Sequence, residues 1–196
     1  MAKIYVFDAW GAHWDETVDE LCRRGHEVRK GPYWGPELTD WADIQIFHAV
    51  QNNLIQASKN TARDDTITIA EAVDIDIYAG HMGSVNWHYV DHLVYMATHM
   101  REYAEERFAH KLPEHLPRHT IQGGVNLDNW TLIDRPIGYK VAWIGHLWIA
   151  KNLIGALQVF NQLILDRPDE PWEFHALGRK WSPPHWWPRA VEGYLD

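Results

Sequence analysis

The chain has 196 residues, 46% apolar and 23% charged, which suits one domain or a compact pair and excludes a disordered or collagen-like chain. Eighteen Lys and Arg against 27 Asp and Glu give a formal charge of −9, which excludes a broad nucleic-acid-binding face or an anionic-membrane anchor but leaves room for a local basic pocket. A single cysteine, Cys22, rules out an internal disulfide and a cysteine-rich zinc site and fits a reducing cytosol, while twelve Trp and thirteen His supply rings suited to clefts, contacts and cores.

The opening MAKIYVFDAW has one Lys before a short apolar run and lacks the form of a signal peptide. No stretch approaches eighteen apolar residues, so a cytoplasmic chain without a transmembrane span is expected. Ile4 to Phe7 predicts a strand ending at Asp8, and Gly11 breaks the chain before an amphipathic helix from about Trp14 to Arg24. Val18, Leu21 and Cys22 share its buried face, Asp15 is the expected N-cap and Gly25 the stop. His26 to Arg29 is the second strand, and the helix between them makes a right-handed parallel βαβ unit of Rossmann-like type. Ile44 to Phe47, Thr66 to Ile69, Val73 to Tyr78 and Leu93 to Met96 predict further strands. A helix beginning near Thr98 runs through Phe108 until Pro113 and Pro117 end helical structure.

From Asn126 to Gly138 the chain is polar and turn-rich, which places a boundary between a first domain, residues 1–136, and a partial second one, residues 137–196. There the pattern restarts. Tyr139 to Ile144 is a strand, Gly145 to Ala150 a loop, Asn152 to about Leu165 a helix with Leu153, Ala156, Leu157, Phe160 and Leu163 inward, and Trp172 to Leu177 a strand.

Four stretches carry a family resemblance. They are Gly11-Ala12-His13-Trp14 with Arg24-Gly25-His26-Glu27-Val28, Gly123-Gly124-Val125-Asn126 with Leu127, Asp128 and Trp130, Val141 to Leu147 with Lys151-Asn152-Leu153, and Trp172 to Gly178. In this order and at these intervals the chain resembles the retaining glycosyltransferases of the GT-B fold, the large family-four group that uses nucleotide-sugar donors. The resemblance implies two Rossmann-like domains, transfer of a sugar with retention of configuration, and no metal or other cofactor. It implies Gly11, His13 and Trp14 on the acceptor side, His81 at the donor sugar, and Gly145, His146, Lys151 and Asn152 at the donor diphosphate. His146 stands where the family usually has Arg and lacks the bidentate fork of a guanidinium. The family's Glu-rich donor motif has no counterpart here. The partial second domain is therefore expected to dock on a second copy or another subunit, with Trp143, Trp148, Trp172, Trp186 and Trp187 as contacts.

The residues support parts of this without the family. Gly145 at a strand end allows close approach of a ligand, the following helix directs its positive end there, and Lys151 adds a charge that would stabilise a diphosphate leaving group. The bland alternative is a solvated first-turn lysine. His81, beside Gly80 and Gly83, follows a predicted strand, where open α/β sheets place ligands. Packing on Trp87 explains it equally. Loop packing likewise competes with acceptor contact for His13 and Trp14, and a solvated strand edge accounts for Asp74 and Asp76 better than an acid–base pair. Two rival functions remain. His88 and His92 at i, i+4, with His99 beyond, are a possible zinc set. The tail Trp181-Ser182-Pro183-Pro184-His185-Trp186-Trp187 fits a non-catalytic sugar- or nucleotide-binding module, or a surface awaiting a partner.

Overall fold

The computed structural model describes residues 1–8, 11, 14–59, 65–124, 134, 138–145 and 151–178. The chain divides into two compact units, Met1–Thr131 and Leu132–Asp196. Both are α/β. The first is a six-stranded, wholly parallel sheet, consistent with a Rossmann-like fold, with strand order β2-β1-β3-β4-β5-β6. Its strands are β1 (Lys3–Asp8), β2 (Glu27–Gly31), β3 (Ile44–His48), β4 (Ile67–Ala72), β5 (His92–Tyr95) and β6 (Arg118–Thr120). Its helices are α1 (Asp15–Arg23), α2 (Pro36–Trp41), α3 (Asn52–Ala57), α4 (Asp74–Tyr78) and α5 (Thr98–Phe108), with 3-10 turns at His81–Ser84 and Trp87–Tyr89.

Handedness explains the layers. The chain steps outward once, from β1 to β2, and every later crossover runs the other way, so right-handed connections send α1 to one face and the other helices to the opposite face. Phe7, Phe47, Ala70, Ala72, Leu93 and Tyr95 accordingly join Leu54 of α3, Ile77 of α4 and Ala104 and Phe108 of α5 in the larger core. The other face has a small core of Ile4, Val6 and Ile46 beneath Trp14, Val18 and Leu21. Beyond α1 that face opens, and Ile67 of β4 is 43% exposed.

Several boundaries differ from the sequence reading. Val73 to Tyr78 is not a strand: the preceding strand continues through Ala72, and α4 follows at once. The Asp76 carboxylate, at the third helical position, accepts the Val73 N–H at 3.1 Å, which starts a helix where alternation alone suggested a strand. Asp74 and Asp76 therefore share no strand face; Asp74 is exposed and Asp76 buried. Asp15 is the first residue of α1 rather than its cap, because its carboxylate pairs with Lys30; Trp14 takes the cap position. His88 lies in a 3-10 turn and His92 in β5, so they share no helix face. The two short helices α2 and α3 span fewer than two turns each and left no periodic pattern to read.

Among its described residues the second unit forms a βαβ module: β7 (Lys140–Ile144), α6 (Leu153–Asp166) and β8 (Glu173–Leu177), the two strands parallel and in register. α6 rests on the sheet through Leu153, Ala156, Phe160 and Leu163, with Phe160 and Phe174 ring centroids 5.0 Å apart. Leu157, expected inward, is exposed, since it falls on the flank of this stripe. No described residue of this unit is fully buried. Among the described residues no helix is long and apolar enough to cross a membrane.

Candidate functional site

In the first unit three strands carry ionisable side chains at or next to their carboxyl ends, in one register row: Asp8 of β1 opposite His48 of β3, and His48 opposite Glu71 of β4. The row lies at the carboxyl end of the sheet, where β1 and β3 lie side by side and the strand order reverses, the place where open α/β sheets bind ligands. Asp8 is buried, and its Oδ1 accepts the N–H of Gly11 at 3.0 Å. Lys30 Nζ donates to the Gly11 carbonyl at 2.6 Å and lies 3.8 Å from Asp8 Oδ2. Gly11 has φ +89, a conformation glycine adopts freely, so it is clipped from two strands at the loop leaving β1. The edge of Trp14 meets the His48 ring at 6.2 Å, and the buried His48 Nδ1 pairs with the Glu71 carboxylate.

The chain leaves His48 through a backbone outlier. Ala49 is buried and left-handed at φ +74, a conformation that costs a residue bearing a Cβ about 1–2 kcal/mol. The next N–H, of Val50, donates to Asp76 Oδ2 at 2.7 Å, so a carboxylate from α4 holds this turn from across the edge. Asp76 is fully buried, and burial raises its carboxyl from the ordinary Asp value against the opposing pull of the Val50 and Val73 amides and His81. Its other oxygen, Oδ1, lies 3.6 Å from His81 Nδ1. Left-handed Gly80, at φ +82, turns the chain into the 3-10 segment that carries His81. The Trp87 indole, five residues further on, donates to the Met82 carbonyl at 3.0 Å. The His81 side chain is 40% exposed although its Nδ1 is buried, so the exposure falls on the rest of the ring.

The structure thus places Gly11 and Trp14 beside the Asp8–His48–Glu71 row and pairs His81 with Asp76. His13 and His146 lie outside the described residues. Asp8, His48 and Glu71 were not singled out from sequence, and Asp76 was weighed only with Asp74 as an acid–base pair and set aside as part of a solvated strand edge. A signal existed for the first three: Asp8 and His48 directly follow the runs Ile4 to Phe7 and Ile44 to Phe47, and Glu71 follows the predicted strand Thr66 to Ile69 one residue on. His88 stacks on His115 with centroids 5.8 Å apart, and His92 Nδ1 meets His119 Nε2 at 3.2 Å. Among the described residues no three His, Cys, Asp or Glu come together to hold a metal.

In the second unit Gly145, Lys151 and Asn152 converge. Gly145 N–H continues the strand ladder to Leu177 O at 3.0 Å, and a Cβ at Gly145 would lie 3.6 Å from that of Lys151 and 3.1 Å from the Trp143 ring. The Trp143 indole donates to the Lys151 carbonyl at 3.2 Å and ties the loop's far end to its own strand. Asn152 is left-handed at φ +52, and its carboxamide oxygen caps α6 by accepting the Gly155 N–H at 3.0 Å. Lys151 is exposed at the head of this helix. A groove of about 640 Å³ runs from Lys151 and Asn152 along β7 and α6, with Val141, Phe160 and Phe174 among its walls. Trp143 and Trp172, expected at a partner contact, have partners inside the unit: the Trp172 indole donates to the Arg167 carbonyl at 3.2 Å and its ring meets Tyr139 at 5.2 Å. Trp148, Trp186 and Trp187 lie outside the described residues.

No protein-family model matches the sequence, and no curated protein matches it either.

Proposed function

We propose that the chain is a GT-B glycosyltransferase that moves a sugar from a nucleotide-sugar donor to an acceptor with retention of configuration. Lys151, the Gly145 backbone and the head of α6 bind the donor diphosphate, with His146 as a weaker helper. Asn152 contributes by capping the helix that presents those amides. His81 meets the donor sugar, and Gly11, His13 and Trp14 form the acceptor side. The reading is supported above all by the convergence of Gly145 and Lys151 at the N-terminus of a fourteen-residue helix, where aligned peptide dipoles and a lysine charge stabilise a departing diphosphate. Helix dipole and lysine take the place of a metal in this scheme.

The test is hydrolysis of a panel of UDP-, GDP- and ADP-sugars. One donor is turned over, EDTA leaves the rate unchanged, and Lys151→Ala weakens binding of the matching nucleoside diphosphate about tenfold, equal to about 1.4 kcal/mol. An absence of turnover on all donors, with binding indifferent to Lys151→Ala, removes the basis of the reading. A second reading, a non-catalytic nucleotide- or sugar-binding accessory subunit, is favoured by the incomplete burial of the second unit, which no described residue escapes. Nucleotide binding that depends on Lys151 without any turnover selects it. In either reading the second unit docks on a second copy of the chain or on a partner subunit.

A further inference from the structure

We propose that Asp76 is a positioning residue for His81: it fixes the imidazole in the tautomer protonated at Nδ1 and leaves Nε2 as the ring's free acceptor toward a ligand hydroxyl. This rests on His81 being the side chain that meets the donor sugar. Holding the Val50 turn and starting α4 require only one oxygen of Asp76, because Oδ2 accepts both amide protons, at 2.7 Å and 3.1 Å. Oδ1 is left over. It is buried without a hydrogen-bond partner, faces His81 Nδ1 at 3.6 Å, and that nitrogen is buried without a hydrogen-bond partner too. Two opposed buried polar atoms each carry a desolvation cost that a proton between them removes. An ionised carboxylate only accepts, so the shared proton belongs to Nδ1 and the Nε2 lone pair is available. Closing the last few tenths of an ångström needs only a small rotation after Gly80, whose left-handed backbone begins the turn. A carboxylate in this position also stabilises the imidazolium when Nε2 takes up a proton.

Asp76→Asn gives a sharp prediction because the amide must be oriented. Its oxygen is claimed by the Val50 and Val73 amides, so its NH₂ turns to His81 and donates. Nδ1 then has to accept, and the proton moves to Nε2. Long-range ¹H–¹⁵N correlation spectra of the full chain, with the His81 signals assigned by their loss in His81→Gln, read the tautomer directly. The expected result is Nδ1–H in the wild type and Nε2–H in Asp76→Asn. In donor hydrolysis the same variant lowers kcat about 10²-fold and leaves KM unchanged. An Nε2–H wild type overturns the proposal without any variant, and so does a tautomer that Asp76→Asn leaves in place. If no nucleotide sugar is turned over, the transferase reading falls, and the tautomer still decides this proposal independently.

Discussion

At the scale of single residues, Asp76 separates charge from hydrogen bonding. Its folded carboxyl is raised from the ordinary Asp value because it is buried, so it takes up a proton more readily folded than unfolded. The stability it contributes is fully present below the ordinary Asp range and is lost as pH rises through the higher folded value. At neutral pH the buried charge is therefore a cost that Asp76→Asn removes while keeping one acceptor for Val50 and Val73. Urea unfolding at pH 7 should show this variant at least as stable as the wild type, with the difference gone near pH 3. Asp76→Ala orphans both amides and should lose about 1–3 kcal/mol at either pH. None of this was visible in Val73-Asp74-Ile75-Asp76-Ile77-Tyr78, which alternates as a strand does. What decides it is the Val50 amide, 26 residues away. His81 was picked out because Gly80 and Gly83 mark a turn after an alternating run that reads as a strand; that run is α4, so the strand-end argument for His81 falls, and its partner Asp76 was hidden because the pairing depends on the helix that alternation concealed.

At the scale of elements, the long apolar runs were legible and the short connections were not. Ile4 to Phe7 and Ile44 to Phe47 gave their strands because buried parallel strands need continuous apolar sequence. α2 and α3, at six residues each, are stabilised by burying Thr39, Leu54 and Ala57 rather than by any repeat in the sequence. The restart after Gly138 was readable for the same reason as the opening, since Tyr139 to Ile144 and Leu153 to Leu163 switch from period two to helical spacing. The detail at its turn was hidden. Asn152 looked like a phosphate contact, yet it has the left-handed backbone and cap bond of a structural residue. Asn152→Gly keeps φ +52 at no steric cost and should lose only a few tenths of a kcal/mol, whereas Asn152→Ala loses the cap and adopts the strained backbone at about 1–2 kcal/mol. Hydrogen exchange of the α6 amides measures both. Nucleoside diphosphate binding that survives Asn152→Gly confines the ligand role to Lys151 and the backbone; binding lost in Asn152→Gly as fully as in Lys151→Ala restores Asn152 as a contact.

At the scale of the whole molecule, the two units meet opposite fates from the same construction rule. Six parallel strands with helices sent mainly to one face bury a large core, from Tyr5 to Leu116. One βαβ module cannot do so, and two parallel strands are marginal alone in water. Ile144 stays 78% exposed and Val159 71%, with Leu165 and Leu177 also open. Trp143 and Trp172, two of the rings expected to face a partner, have hydrogen-bond partners inside the module, and the exposed side chains just named are aliphatic. Exposed apolar side chains favour association in proportion to the apolar area it removes from water. Sedimentation velocity over a wide concentration range should therefore show mass rising with concentration, and the double change Val159→Glu and Leu165→Glu should shift the protein toward monomer while circular dichroism stays unchanged. A wild type that sediments as a monomer throughout and binds hydrophobic dye assigns these side chains to a different subunit. A monomer that binds no dye removes the association proposal.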